Sequence, residues 1–215
     1  MARAQPLLIA LVLGLVLAGV ALADKPIIRF NAADQAAARA VVLRASDLGT
    51  AWKGGFKAPD LTSAPPCGSY HPKQSDLVTT GAAETDFQNG GTDIDSEAQV
   101  QQTAAMVKLD WKRTFTPQLL PCLRSAFKQS FGTKATVVSV DQVSFPQVGA
   151  LTRAYRAVID VPSDGTKIRV VTDLVAFGRR RTELTLRVTA AGRAGAAAHV
   201  LEIQLAHLMI GRARA

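Results

Sequence analysis

Residues 93–101, DIDSEAQVQ, alternate cleanly: Ile94, Ala98 and Val100 fall on one side, and Asp93, Asp95, Glu97 and Gln99 on the other. A period of two marks a strand with one apolar and one polar face. The preceding DLVTTGAAETDF supplies a partner strand, and Asn89-Gly90 between them is a strong hairpin signal. Centred there, the turn sets Phe87 opposite Thr92 and Ala83 opposite Ser96. Leu77, Ala83 and Phe87 then share the face of Ile94, Ala98 and Val100.

Four further segments, roughly 134–144, 150–161, 167–177 and 182–189, carry strand patterning. A tight turn at Asp164-Gly165 aligns Tyr155 with Leu174, Ala157 with Thr172, Ile159 with Val170 and Val161 with Ile168, an apolar face. On the other face Arg156 meets Asp173 and Asp160 meets Arg169, opposite charges directly across the ladder. In the last strand Leu184, Leu186 and Val188 point inward, with Glu183 and Arg187 outward. If the GRRR loop at 178–181 keeps that parity, Asp173 lies between Arg156 and Arg187. Such a row is a surface ion-pair ladder or a seat for an anionic ligand.

Helical periodicity predicts the remainder. NAADQAAARAVVLRASDL reads as a helix capped by Asn31, with Ala36, Ala37, Ala40 and Val41 on one face. Residues 103–131 read as two helices broken near Thr116-Pro117 or Pro121. Met106, Leu109, Phe115, Leu123, Phe127 and Phe131 turn to the core, and Trp111 joins them or caps a groove. An apolar helix after Gly192 closes the chain. DKPIIRF is a short first strand, and residues 49–76, rich in Gly, Pro, Ser and Lys, form a long irregular segment. The order β-α-ββ-αα-ββββ-α means an α+β fold: a ββ hairpin plus a four-stranded meander, antiparallel, packed with about four helices. No glycine-rich phosphate loop follows a strand, so a dinucleotide fold is not expected.

The N-terminus sets the compartment. MARAQPLLIALVLGLVLAGVALA carries one charge, Arg3, an apolar run from Leu7 to Val20 and the small-x-small signal Ala21-Leu22-Ala23. This predicts a signal peptide over 1–23, a single domain over 24–215 and a secreted, extracellular protein. A retained N-terminal membrane anchor is the alternative. The residue after the cleavage signal is Asp24, so a bacterial lipid anchor is excluded. Outside the cytoplasm the two cysteines, Cys67 in APPCGSY and Cys122 in LPCLRSAF, are expected to pair. Closing a loop of that length stabilises a fold by roughly 4 kcal/mol on the chain-entropy account.

Composition is that of an ordinary globular domain, 48% hydrophobic and 20% charged. The net charge of +8, one less without Arg3, favours anionic polymers or surfaces. Basic residues are dispersed apart from GRRR and the terminal GRARA, and aromatics are only 6%, so nucleic acid is not an expected partner.

Motifs for catalysis or metals are weak. Ser125-Ala-Phe-Lys128 matches the Ser-x-x-Lys pattern of penicillin-recognising enzymes, but its Ser-Asp-Asn and Lys-Thr-Gly companions are missing, leaving a helix surface. His199 and His207 lie eight residues apart on one helix, out of phase for a metal pair, and TDIDSEA lacks the Gly and Glu of a calcium loop. No metal or cofactor site is expected. Trp52, in TAWKGGF, and Tyr70 and His71, in CGSYHP, are the candidate binding residues of the long loop, beside Arg156, Asp173 and Arg187 on the sheet.

LRASDLGTAWKGG after a helix, a later CL helix and GRRRTELTL before a closing helix resemble secreted actinobacterial proteins of unassigned role. More distantly, the layout resembles the extracellular sensor domains of mycobacterial receptor kinases of the PknH type. It is also similar to small lipoproteins of the LpqN type, related to the Mog1/PsbP fold. The sensor domains carry two disulfides where only one is possible here, and the lipoproteins carry a lipidated cysteine this chain lacks. The resemblance implies a non-catalytic binding or sensing module with a cleft on an antiparallel sheet. The function expected is therefore a secreted module recognising an envelope component, small ligand or partner protein. The alternatives are a secreted hydrolase whose site assembles only in three dimensions, and a polyanion-binding surface protein.

Overall fold

Strand pairing organises the chain. The structure, a computed structural model, describes residues 24–61, 67–68, 70–132, 134–163, 166–192 and 195–213; the signal peptide assigned to 1–23 and the Asp164-Gly165 turn tip lie outside them. The elements are β1 (Ile27–Ile28), α1 (Ala32–Val41), one-turn α2 (Ala45–Leu48), β2 (Lys53–Lys57), β3 (Val78–Asn89) and β4 (Thr92–Gln101), then α3 (Ala104–Thr114) and α4 (Leu119–Ser130). There follow β5 (Thr136–Val143), β6 (Leu151–Ser163), β7 (Thr166–Arg179), β8 (Thr182–Ala191) and α5 (Gly195–Arg212).

Among the described residues eight strands form one sheet, seven of them in the order β1-β3-β4-β8-β7-β6-β5, with β2 also paired to β3. β1 and β2 share the outer edge of β3, β1 parallel at its start and β2 antiparallel near its end. The other described pairs are antiparallel. The fold is α+β, as the sequence predicts. The expected hairpin (β3–β4) and meander (β5–β8) are fused edge to edge by the β4–β8 pairing.

Helices cover both faces. On one, α1 and α5 close the main core, where Phe87, Ile94, Phe177, Leu184, Leu186 and Met209 are almost fully buried. Each such side chain contributes about 1.5–3 kcal/mol on burial. On the other face α4 lies over β5 and β6, packing Leu120, Leu123, Phe127 and Phe131 against Ala157 and Ile159.

Two hairpins differ instructively. Around Asp164-Gly165 the predicted partners all form, including Tyr155 with Leu174 and Val161 with Ile168. In β3–β4 the turn is Gly90-Gly91, with φ of 54° and 85°, rather than Asn89-Gly90. Both turn positions need a left-handed backbone, which two glycines meet without cost. Moving the centre by one residue slides the partners by two, so Phe87 faces Ile94 and Ala83 faces Ala98, and the face assignment survives.

The N-terminal helix is shorter than its pattern and rotated. It ends at Val41 because Val42 is extended and Leu43 donates its N–H to Ser96 Oγ at 2.9 Å, plugging both side chains into the core. The buried stripe is Asp34, Ala38 and Val41, while Ala36 is exposed. Asn31 caps the helix as expected, accepting from the Asp34 N–H at 2.9 Å. Asp34 also pairs with Arg181 from the β7–β8 turn at 2.6 Å, which draws that side of the helix inward. In α3 the buried residues are Val107 and Trp111 rather than Met106 and Leu109, and the break before α4 falls at Thr116-Pro117. Within the segment read as irregular, β2 was not foreseen.

Gly81 is where α1 meets the sheet most closely. A Cβ there would lie 2.3 Å from the Asp34 carbonyl oxygen and 2.8 Å from the Gln35 nitrogen, both backbone atoms that cannot step aside. Gly81→Ala is therefore expected to cost about 1–3 kcal/mol, read as a lower urea midpoint at unchanged slope. Gly211→Ala, in an exposed part of α5 with open space around the new carbon, should hold stability or raise it by up to about 1 kcal/mol.

Candidate functional site

The polar face of β4 forms the floor of a cleft. Strand register sets up two rows of side chains on the α4 side of the sheet. One runs Asp86, Asp95, Arg187, Leu174, Tyr155 across β3, β4, β8, β7 and β6. The next runs Gln88, Asp93, Thr189, Thr172, Ala157. Because α4 sits over β5 and β6, the β6 ends of these rows are covered and the β3, β4 and β8 ends are open. The result is a cleft of about 430 Å³, floored by Asp86, Asp93, Asp95, Arg187 and the two threonines, and walled by Leu123, Ala126 and Phe127 of α4 and by Phe131 at its C-cap.

Asp95 is the hub. It is 8% exposed, receives Lys57 Nζ at 3.0 Å on one oxygen, and takes Arg187 Nη2 at 2.7 Å on the other. Lys57 also reaches Glu84 at 3.0 Å. Burial alone would raise the Asp95 carboxyl, but Arg187 and Lys57 outweigh it and hold the group below its ordinary value. Its neighbours go the other way. Asp86 is raised by burial and by its hydrogen bond to Asp95, and Asp93 by burial and the Asp95 charge. The acidic strip continues towards α3, where burial pushes both Glu97 and Glu183 up, the latter also facing Asp110. Carboxylates here outnumber the cations that reach them, within a chain that is basic overall.

The apolar wall is set by the α3–α4 junction. Cys67 and Cys122 are disulfide-bonded, with Cα atoms 5.3 Å apart, so the long loop is tied to the first turns of α4. Tyr70, three residues on, is buried beside Leu119, Cys122 and Tyr155 and donates its hydroxyl to the Thr114 carbonyl at 2.8 Å. Trp111, Phe115 and Tyr155 contact in series, the first two tilted at 42° with centroids 4.1 Å apart and the last two near parallel at 6.3 Å.

The sequence candidates distribute as follows. Tyr70 supports α4 from below rather than facing a ligand, and His71 is exposed, with Nε2 2.8 Å from the Gly68 oxygen. Trp52 packs against the core on the α1–α5 face, the opposite side from Tyr70, so these residues do not converge. The predicted Arg156–Asp173–Arg187 row is split. The β7–β8 turn is a tight two-residue one at Arg180-Arg181, which places Arg187 beside Leu174 and Val188 beside Asp173. Arg156 and Asp173 form a bidentate pair, 2.6 Å for each bond, under α5, with Asp173 only 6% exposed. It is thus not an exposed ladder, unlike Asp160–Arg169. Arg187 alone of the six lines the cleft. Ser125 and Lys128 are exposed on α4. Asp86, Asp93, Asp95, Phe127 and Phe131 were missed as a site, although one signal was in the sequence: either hairpin register places acids opposite acids, an arrangement that costs stability without compensation.

No family model and no curated protein matches the chain. Among solved structures, the extracellular domain of PknH from Mycobacterium tuberculosis is similar in fold, with a TM-score of 0.50 at 8% identity, covering 83% of this chain and 95% of that one. An uncharacterised protein of Mycobacterium smegmatis, an Rv0999 ortholog, aligns at a TM-score of 0.43 and 14% identity, covering 77% of this chain and 92% of that one. The first shares the α+β fold of this chain, in agreement with the resemblance in the sequence.

Tyr70 and Tyr155 are the chain's two tyrosines. Burial pushes Tyr70 up to about 12 and raises Tyr155 as well. Absorbance titration of the folded protein should place both tyrosinate steps above the ordinary value near 10, and Tyr70→Phe should remove the one near 12. Because the folded values are raised, this contribution to stability is complete below the unfolded pKa and is lost as pH climbs through about 12.

Proposed function

We propose that this chain is a secreted, sensor-like binding module whose cleft takes a cationic ligand bearing an apolar portion. The observation that carries the reading is the pairing of an acidic floor, Asp86, Asp93 and Asp95, with an aromatic wall, Phe127 and Phe131, in one cleft. Burial and the neighbouring Asp95 raise Asp86 and Asp93; an ammonium or guanidinium group seated on the floor would offset both effects, while an acyl or aryl portion covers the phenylalanines. A second copy, an envelope component or a partner protein presenting a lysine or arginine beside an apolar side chain offers the same chemistry. The structural neighbour named for its extracellular domain supports a sensing role at the level of fold. The disulfide fits an oxidising compartment, since such bonds persist outside the cytoplasm. A polyanion reading, suggested by net charge alone, finds no support in the sign of this cleft.

Calorimetric titration of the disulfide-bonded protein with decyltrimethylammonium below its micelle concentration, against decyl sulfate, tests the reading. The cation should bind and the sulfate should not. Asp93→Asn and Phe127→Ala should each weaken binding about five- to tenfold, near 1–1.4 kcal/mol. Equal binding of both probes, or cation binding indifferent to both variants, would overturn it.

A further inference from the structure

On the other face of the sheet, α5 crosses β7 over the Arg156–Asp173 pair and adds two residues to it. Glu202 is 1% exposed, among the most buried side chains of the protein. Its Oε2 lies 3.2 Å from His199 Nδ1, one helical turn earlier. Among the described residues, its Oε1 is buried without a hydrogen-bond partner. A buried carboxylate oxygen with no donor is costly unless a ligand completes it. One ligand atom from each of Asp173, His199 and Glu202 lies within 4.8 Å of the other two.

We propose that Asp173, His199 and Glu202 bind a divalent transition-metal ion, zinc above all. One imidazole nitrogen and two carboxylate oxygens form a donor set that zinc accepts, with water in the fourth position. Tetrahedral ligands at about 2.0–2.1 Å from zinc stand about 3.3 Å apart, so the three groups must draw in modestly. His199 is free to do this, its side chain being 36% exposed at the mouth of the cluster. Asp173 gives one lone pair on each oxygen to Arg156 at 2.6 Å and keeps the others for a metal. Arg156 is then the outer partner that orients a ligating carboxylate. The His199 and Phe145 rings meet nearly at right angles, centroids 5.9 Å apart. Charge sets the strength: Arg156 offsets one of the two carboxylates, so affinity should be moderate rather than that of a four-cysteine site. The ion would clamp the closing helix to β7.

Zinc titration of the untagged, disulfide-bonded protein at pH 7.5, followed by calorimetry and thermal melting, tests this. Wild type should bind one zinc with a dissociation constant of about 1–50 μM and melt higher with zinc present. His199→Ala, at a part-exposed position that should leave the fold intact by circular dichroism, should weaken binding at least tenfold and abolish the melting shift. Glu202→Gln should do the same, and cobalt in place of zinc should give visible bands lost in His199→Ala. No zinc binding at 100 μM, or binding unchanged in His199→Ala and so due to His71 or His207, would overturn the assignment.

Discussion

The bond between Cys67 and Cys122 fixes where α4 begins, and α4 is one wall of the cleft. The helix packs mainly on β5 and β6, beside the open acidic strip of β3 and β4. The disulfide joins its first turns to the long loop, and Tyr70 anchors that loop to the end of α3 through the Thr114 carbonyl. The aromatic series Trp111, Phe115 and Tyr155 then fills the corner under the junction. Helix height, and with it the distance between phenylalanines and carboxylates, follows from this one cross-link and its packing.

The sheet divides the molecule's chemistry. Its α1–α5 face is apolar across β3, β4 and β8, with charges paired at its margins, Asp34 with Arg181 and Asp47 with Arg212, and under α5, where Arg156, Asp173 and Glu202 meet. Its α4 face is apolar under the helix and acidic beyond it. Asp95, at the centre of that strip, is satisfied by Arg187 and Lys57, whereas the Asp86 and Asp93 carboxyls are raised by burial and by Asp95 beside them. A basic protein with an acidic recess points its recess at cations, so overall charge and site charge carry opposite messages about partners.

Much of this was legible in the sequence, and the reasons differ by element. The β6–β7 register was readable because a turn signal, an apolar face and two charge pairs agree on one alignment. The β3–β4 register was not, because Asn-Gly-Gly offers two turn centres and only the backbone chooses. Parity survived that error but not the one at GRRR, where a turn one residue shorter moves Arg187 to the opposite face from Asp173. The α1 stripe misled because its buried residue Asp34 is charged, and only Arg181, far along the chain, makes its burial tolerable. Trp52, Tyr70 and His71 share a segment but not a side of the sheet. His199 belongs with a glutamate three residues on and an aspartate from a strand, a grouping that helix periodicity between histidines cannot reveal.

Hydrogen–deuterium exchange on the wild type and on a Cys67→Ser, Cys122→Ser double variant tests the central claim most directly. If the cross-link holds the cleft wall in place, its loss should speed exchange selectively in residues 70–76 and 119–130. The amides of β4, β7 and β8 should stay protected. Exchange in α4 unchanged by the double substitution would contradict the account, as would acceleration spread evenly over helix and sheet.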